Sequence, residues 1–348
     1  MRTIVCITII TLFITFAGFT LVSAAPQRPK IEKDWPKTYA IGAGTGGVYY
    51  AIAGGITAIT EKYVGVAGIP SKTSGAEETA RLIHKGDMQL GFMTPDVAYE
   101  SVRGLGTFKR TGPLKIRAIL QDFPLGFNIT TLANKGIISP SDFKGKAGFT
   151  LARGSAIMRI FLNETLAAYA LKPEDLKASL VFDTHDEAME ALVVGKVDFF
   201  INCAPHPAAK WTELSATHPM KIINIDDNHM KKMIQNVPYM FSMKIPGNMY
   251  KTMPEDIQVS AFSSIVVGGA ELSESFVYEL TKAIWTNFEE FKTYHAGAKY
   301  FSKEAVKRVS YIPYHPGAIK YYKETGIWTK ELDDRQAKLL AEVSAAKK

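Results

Sequence analysis

The sequence predicts an α/β protein of two lobes with a ligand cleft between them. From Thr38 onward, short β-rich runs alternate with helical stretches, an order typical of parallel strands joined by crossover helices. The plan occurs twice, since residues 82–92 and 192–200 both read as a helix end, a glycine and a strand. Two apolar runs, at residues 117–132 and 237–245, are expected to cross between the lobes. Ligands of open α/β sheets bind outside the carboxyl ends of the strands, which places the expected site in the cleft.

The first half carries recognisable helix boundaries. Ser74 and Glu77 form an S-x-x-E capping box at the start of the second predicted helix, and Asp96 is expected to cap the third. Gly86 reads as the residue just after a helix end. The predicted strands of this half are residues 39–43, 66–72 and 90–93, and the predicted helices are residues 48–63, 74–85 and 96–102.

The second half repeats that order. A tight turn, Arg153-Gly154-Ser155-Ala156, follows its first strand, and Gly195 is a second helix-ending glycine. Its predicted strands are residues 147–151, 180–182 and 197–202, and its predicted helices are residues 158–170 and 187–194. We therefore assign residues 25–122 with 246–348 to lobe 1, and residues 123–245 to lobe 2.

The first 24 residues are typical of an export signal. Arg2 supplies a positive charge, residues 4–22 are uncharged and largely apolar, and Val22-Ser23-Ala24 offers small residues for cleavage after Ala24. The alternative is an uncleaved anchor, because the apolar run is about long enough to span a bilayer. With either outcome the remaining chain is expected to be exported, and the cleaved form would be periplasmic.

Composition excludes several function classes. The 348 residues are 47% hydrophobic and 22% charged, as in ordinary globular proteins. The net charge of +7 comes from scattered basic residues without a nucleic-acid-binding signature, so no nucleic acid partner is expected. Cys203 is the only cysteine beyond the signal, which excludes an intramolecular disulfide there. We find no H-E-x-x-H, paired-cysteine, G-x-S-x-G or Walker motif, and expect neither a metal, a cofactor nor catalysis.

A glycine-rich turn follows the first predicted strand. Thr45 offers a hydroxyl, and Gly46, Gly47 and Val48 offer backbone N–H groups at a helix start, where anions bind well. A tight turn without a ligand is the alternative. The letters of the dinucleotide motif G-x-G-x-x-G also fit here, but the strand at residues 66–72 contains no acidic residue for a ribose.

Further candidate ligand-binding residues lie at other strand ends. Tyr49 and Tyr50 point in different directions on the helix, and we expect Tyr49 to face the cleft. Arg153 could bind a carboxylate with two hydrogen bonds or be an exposed turn residue, and Cys203 could instead be buried for structural reasons. His206 and His315, each beside prolines, are expected to belong to turns. The remaining candidates are Ser74, Gly75, Thr94, Ser155 and Asn202.

Several motifs in order resemble the TAXI family, the periplasmic solute receptors of TRAP-type transporters. They are residues 44–50 (GTGGVYY), 74–78 (SGAEE), 86–92 (GDMQLGF), 96–99 (DVAY), 280–284 (LTKAI) and 313–322 (PYHPGAIKYY). The resemblance implies a monomeric, two-lobed Venus-flytrap receptor that delivers one solute to the membrane permease of an ion-driven symporter. Relatives tend to bind small acids such as glutamate or 2-oxoglutarate. Thr94-Pro95 departs from the polar pair usual in the family, and Arg153 from its glycine- and serine-rich turn.

Three other functions share this architecture. A solute-binding protein of an ABC importer would differ in its genomic neighbour, an ATPase instead of a large permease. A periplasmic enzyme would turn over its bound compound, and the sequence shows no catalytic set that would do so. A ligand-sensing partner of a signalling receptor would be found with membranes.

Overall fold

The structure is a computed structural model that describes residues 28–44, 47–151, 156–182, 185–309 and 311–346. The predicted signal at residues 1–24 and the candidates Thr45, Gly46, Arg153 and Ser155 lie outside the described residues. The strands are β1 (Thr38–Gly42), β2 (Ala67–Ser71), β3 (Leu90–Met93), β4 (Ile116–Leu132), β5 (Ala147–Leu151), β6 (Ala178–Phe182), β7 (Phe199–Ala204), β8 (Met220–Ile222), β9 (Phe241–Ile245) and β10 (Ile257–Gly269).

Helices cover both parts of the sheet. The predicted helices begin and end within about two residues of the bounds that the structure gives, which is the usual uncertainty of helix boundaries. The helices are α1 (Val48–Tyr63), α2 (Ala76–Lys85), α3 (Pro95–Arg103), α4 (Ala156–Ala168), α5 (His185–Val193), α6 (Ala209–Thr217), α7 (Asp227–Asn236), α8 (Glu274–Thr286), α9 (Phe288–Phe291), α10 (Pro316–Glu324) and α11 (Lys330–Ala345).

The sheet contains two parallel groups joined by two long antiparallel strands. β1 pairs in parallel with β2 and β3, and β5 pairs in parallel with β6 and β7, as the alternating pattern predicts. The strand order across the described residues is β2-β1-β3-β10-β4-β7-β5-β6, with β8 added to β4 and β9 to β10. The α/β architecture of the two halves is therefore the predicted one.

β4 and β10 link the two groups, because β10 pairs with β3, β4 pairs with β7, and the two long strands pair with each other. β4 is the apolar run expected at residues 117–132, and it pairs with both β10 and β7. Residues 237–245 instead contain β9, which lies along the first half of β10. The second long strand is thus β10, whose central residues are buried without interruption. The division of the chain into residues 25–122 with 246–348 and residues 123–245 stays a prediction.

Two predicted helix caps are wrong. α2 begins one residue later than a Ser74 cap requires, because Gly75 occupies the N-cap position with φ 151°. The Ser74 N–H donates to the Glu78 carboxylate at 2.5 Å, and not to Glu77. In α3 the N-cap is Thr94, and Asp96 lies buried inside the first turn. Backbone conformation at a glycine and a proline therefore decided both starts.

Other predicted ends and turns are confirmed. Gly86 and Gly195 follow α2 and α5 with φ 86° and 80°, the left-handed conformation that a helix-ending glycine supplies. His315 is the N-cap of α10, where its Nδ1 accepts a hydrogen bond from the Gly317 N–H at 3.2 Å.

The apolar core forms two clusters. The larger surrounds β1, β3 and the central part of β4 and β10, with α1, α8 and α10 packed on it. The smaller surrounds Phe200, Trp211 and Tyr250 in the second half of the chain. Within the described residues, every helix is too short or too polar to cross a membrane.

Candidate functional site

A cavity of about 210 Å³ lies where three helices begin, and we call it the small cavity. It opens at the carboxyl ends of the neighbouring parallel strands β1 and β3, the position expected for a ligand of an open α/β sheet. Three of the predicted site residues line it, namely Tyr49, Gly75 and Thr94. The full lining is Ala43, Gly44, Tyr49, Gly75, Ala76, Phe92, Met93 and Thr94.

Two helix starts at this cavity, those of α1 and α2, have no capping side chain. α1 begins after Gly47, which has φ 68° and no side chain, and its first turn contains no acidic residue. α2 begins after Gly75, whereas in α3 the buried Asp96 carboxylate lies by the Asp96 and Val97 N–H groups and Pro95 has no N–H. The first N–H groups of a helix have no partner within the helix and carry partial positive charge. The small cavity is therefore a place where backbone donors favour an anion.

Pairing between loops holds the glycine turn in place. The Ala43 N–H donates to the Ser71 carbonyl at 2.9 Å, and the Thr73 N–H donates to the Gly44 carbonyl at 2.8 Å. The residues that follow β1 thus remain paired with those that follow β2, and this pairing brings Gly44 close to Gly75. The start of α1 and the start of α2 face the same space as a result.

Tyr49 connects this site to the long strand β10. Its ring lies 4.9 Å from the ring of Phe92, and its hydroxyl is hydrogen-bonded to Ser264 Oγ at 2.6 Å. Tyr50, by contrast, is 39% exposed and lies under the ammonium group of Lys72. The structure thus places Tyr49 beside the cavity and Tyr50 at the outer surface.

A second cavity of about 390 Å³, the large cavity, shares Tyr49 with the first. Segments distant in sequence form it: the start of α1, the middle of β4, the turn after β7 and the 3-10 helix Ala296–Tyr300. Of the predicted site residues it includes Val48 and Tyr49. Its full lining is Val48, Tyr49, Leu125, Pro205, Pro207, His295, Gly297, Lys299 and Tyr300.

Sequence reasoning missed most of the large cavity. Pro205 and Pro207 directly follow a strand, a signal that could have suggested a site at that strand end. Leu125 and residues 295–300 gave no such signal, because a lone leucine and a short polar segment acquire a role only from tertiary contacts.

His206 fixes the turn between the two prolines. Its Nδ1 lies 2.6 Å from Tyr250 Oη and its Nε2 lies 2.9 Å from Asn128 Oδ1. The Ala208 N–H also donates to Tyr250 Oη at 3.0 Å. Burial lowers the pKa of His206 to about 4, so the ring is neutral near pH 7. This turn histidine holds a wall of the large cavity instead of facing into it.

Three other candidates lie away from both cavities. Ser74 is exposed before α2, and Asn202 is fully buried opposite Asn128 in the β4–β7 pair. Burial raises the pKa of the Cys203 thiol to about 12, which makes it a poor nucleophile. In the described part of the chain, Tyr49, Gly75 and Thr94 line the small cavity and Val48 and Tyr49 line the large one, whereas Asn202 and Cys203 line neither.

Among the described residues that line the two cavities, the ionised side chain is Lys299, in the large cavity. Among the described residues, none of those lining either cavity carries a carboxylate. Lys299 and His295 contribute an ammonium group and an imidazole to the large cavity. His295 Nδ1 accepts from the Gly297 N–H at 2.9 Å, so in the neutral ring the proton is on Nε2. A separate surface hollow of about 380 Å³ beside α8 is lined by the charged residues Arg28, Glu279 and Lys282.

A sequence model of the NMT1-like family matches residues 41–326, which is most of the chain. The chain therefore belongs to the NMT1-like family.

Solved structures of other proteins are similar to this chain. PhnD1 from Prochlorococcus marinus in complex with methylphosphonate is 11% identical, with a TM-score of 0.50 over 84% of this chain and 100% of that one. XAC2383 from Xanthomonas citri bound to chloride ion is 8% identical, with a TM-score of 0.50 over 90% and 99%. The periplasmic aliphatic sulphonate binding protein SsuA from Escherichia coli is 14% identical, with a TM-score of 0.46 over 86% and 91%. The fold is that of two-lobed periplasmic binding proteins.

Proposed function

We propose that this member of the NMT1-like family is a periplasmic solute-binding protein that captures a small organic acid and delivers it to a membrane permease. The observation that carries the proposal is the small cavity, where α1 and α2 start without a capping side chain and no described lining residue has a carboxylate. Backbone N–H groups there would bind the anionic head of the ligand. Binding requires no chemistry, so the protein is proposed not to be an enzyme.

The proposed ligand contacts come from both lobes. Thr45, Gly46, Gly47 and Val48 would surround the anion, together with Tyr49 and the start of α2 at Ser74 and Gly75. Thr94 would add a hydroxyl, in a position where Pro95 removes one N–H donor. Lobe 2 would contribute Arg153 and Ser155 when it closes. Closure requires that the ligand binds the closed state more tightly than the open one.

The transporter is proposed to be of the TRAP type, with this chain as its TAXI-family receptor. The support is the set of motifs at residues 44–50, 74–78, 86–92 and 313–322, which resemble that family in order and spacing. The protein would then act as a monomer, exported by a signal at residues 1–24 that is cleaved. The first ligands to test are glutamate and 2-oxoglutarate.

Calorimetric titration of the chain lacking residues 1–24 tests the proposal. We expect saturable binding of at least one acid from a panel of amino acids, monocarboxylates and dicarboxylates. Binding of a neutral compound, with no heat from any acid, would contradict the anionic head. Turnover of a bound compound would favour a periplasmic enzyme instead.

The role of Arg153 has its own test. A guanidinium that holds a carboxylate by two hydrogen bonds cannot be replaced by an ammonium. We expect Arg153→Lys to weaken binding about as much as Arg153→Ala. Arg159→Lys, at an exposed position of α4, is the matched control and should bind normally.

A binding protein of an ABC importer is the second candidate. The same backbone donors would accept a sulfonate or phosphonate as well as a carboxylate, and PhnD1 was solved with methylphosphonate. A large permease gene beside this one would favour the TRAP assignment, and an ATPase gene would favour the ABC assignment. Adding alkanesulfonates and alkylphosphonates to the titration panel tests the choice of head group directly.

A further inference from the structure

Tyr49 is the shared wall of the small and large cavities. Its ring is held against Phe92 at 4.9 Å, and its hydroxyl is held by Ser264 at 2.6 Å. Ser264 is 1% exposed and belongs to β10, so a buried strand fixes the position of the Tyr49 ring. The two cavities are therefore neighbouring compartments on either side of one ring.

The two compartments differ in chemistry. The small cavity has backbone donors at the starts of α1 and α2. The large cavity has mainly apolar walls from Val48, Leu125 and the two prolines at 205 and 207. The cationic side chain that lines it, Lys299, is exposed, so water and salt weaken its attraction for an anion.

The volume of the large cavity fits a ring-sized apolar group. An apolar cavity of about 150 Å³ holds a benzene molecule, and the large cavity measures about 390 Å³. Ligand pockets of proteins typically combine apolar walls with a few polar groups that orient the ligand. A second carboxylate placed in this compartment would lose hydration without a buried partner to replace it.

We propose, on the basis of the proposed function, that the ligand is an acid with one anionic head and an apolar body of about the size of a ring. The head binds at the helix starts of the small cavity, and the body lies in the large cavity against Leu125 and Pro207. Tyr49 is the specificity-determining residue that separates head from body. Compact dicarboxylates are therefore poor ligands.

Three 2-oxo acids with the same head group test this proposal on the unmodified protein. Phenylpyruvate and 4-methyl-2-oxopentanoate have apolar bodies, whereas 2-oxoglutarate has a second carboxylate. Each buried CH₂ group is worth about fourfold in affinity, so we expect the two apolar acids to bind at least tenfold more tightly than 2-oxoglutarate. Calorimetry or a thermal-shift titration gives the three dissociation constants.

The possible outcomes separate the two proposals. Tighter binding of 2-oxoglutarate, or of glutamate, would overturn the apolar body and leave the proposed function standing. Binding of none of these acids, nor of any other acid in the panel, would overturn both. Comparing the dissociation constants of phenylpropionate and succinate repeats the test with acids that lack the 2-oxo group.

A substitution in the large cavity gives an independent readout. Leu125→Trp narrows that cavity, and we expect the ratio of phenylpyruvate to 2-oxoglutarate affinity to fall at least tenfold. Leu105→Trp is the control, because Leu105 is 40% exposed and lines neither cavity. An unchanged ratio in folded Leu125→Trp protein would place the ligand body elsewhere.

Discussion

Replacing Gly75 with alanine should destabilise the protein through its backbone alone. Gly75 has φ 151° and ψ −173°, a region that residues with a Cβ rarely adopt. An added Cβ would meet no atom within 4 Å, so crowding contributes nothing. The expected loss is the cost of a strained backbone, about 1–3 kcal/mol of unfolding free energy.

Urea denaturation of the two proteins measures this loss. Gly54→Ala is the matched control, since an added Cβ at Gly54 also meets no atom within 4 Å, and Gly54 lies inside α1 without a positive φ. That substitution should raise stability by up to about 1 kcal/mol, because glycine is a poor helix former. The pair therefore compares the same added methyl group in two backbone conformations.

If Gly75→Ala leaves the free energy of unfolding unchanged, the backbone conformation described for the start of α2 is refuted. The small cavity would then have a different arrangement of donors, because Gly75 and Ala76 form one of its sides. If the substitution destabilises as expected, we also expect weaker ligand binding, since relief of the strain would move the first N–H groups of α2.

Further predictions concern a hydrogen bond and two histidines. Tyr49→Phe leaves the buried Ser264 hydroxyl without its 2.6 Å partner and should lower the free energy of unfolding by about 1–3 kcal/mol. In a double-mutant cycle measured by urea denaturation, Tyr49→Phe with Ser264→Ala should cost less than the sum of the two single losses. Burial lowers the pKa of His206 and His315 to about 4, so below pH 6.5 the unfolded chain binds protons that the folded chain does not. Stability should therefore be fully present above pH 6.5 and fall towards pH 4, by at most about 3 kcal/mol for each histidine. His315→Asn keeps a side chain that caps helices well and should make the loss smaller; an identical pH profile would contradict the assignment.

Local patterns predicted much of the fold. α1 has the predicted bounds because a glycine turn sets its start, and β3 does because a short apolar run is bounded by Gly86 and Pro95. β10 was missed, since buried Ser260 and Ser264 interrupt its apolar run and both of its faces are covered. The segment therefore lacks the alternation of apolar and polar residues by which a half-exposed strand is predicted.

The candidate site was predictable only where one segment defines it. Tyr49, Gly75 and Thr94 each lie just after a strand, so the strand–turn–helix pattern points to them. The large cavity joins Leu125, the turn at 205–207 and residues 295–300, and such contacts follow from packing instead of local sequence. The start of α2 shows the same limit, because Ser74 has the letters of a cap while the conformation of Gly75 decides the boundary.

Mass spectrometry of the small molecules released from the purified, denatured protein tests the central claim most directly. The protein is proposed to capture one small acid at the helix starts around Tyr49 and Gly75. We predict a single organic acid in stoichiometric amount, with an apolar body. A neutral compound in stoichiometric amount, bound again by the ligand-free protein while acids are not, would contradict the claim.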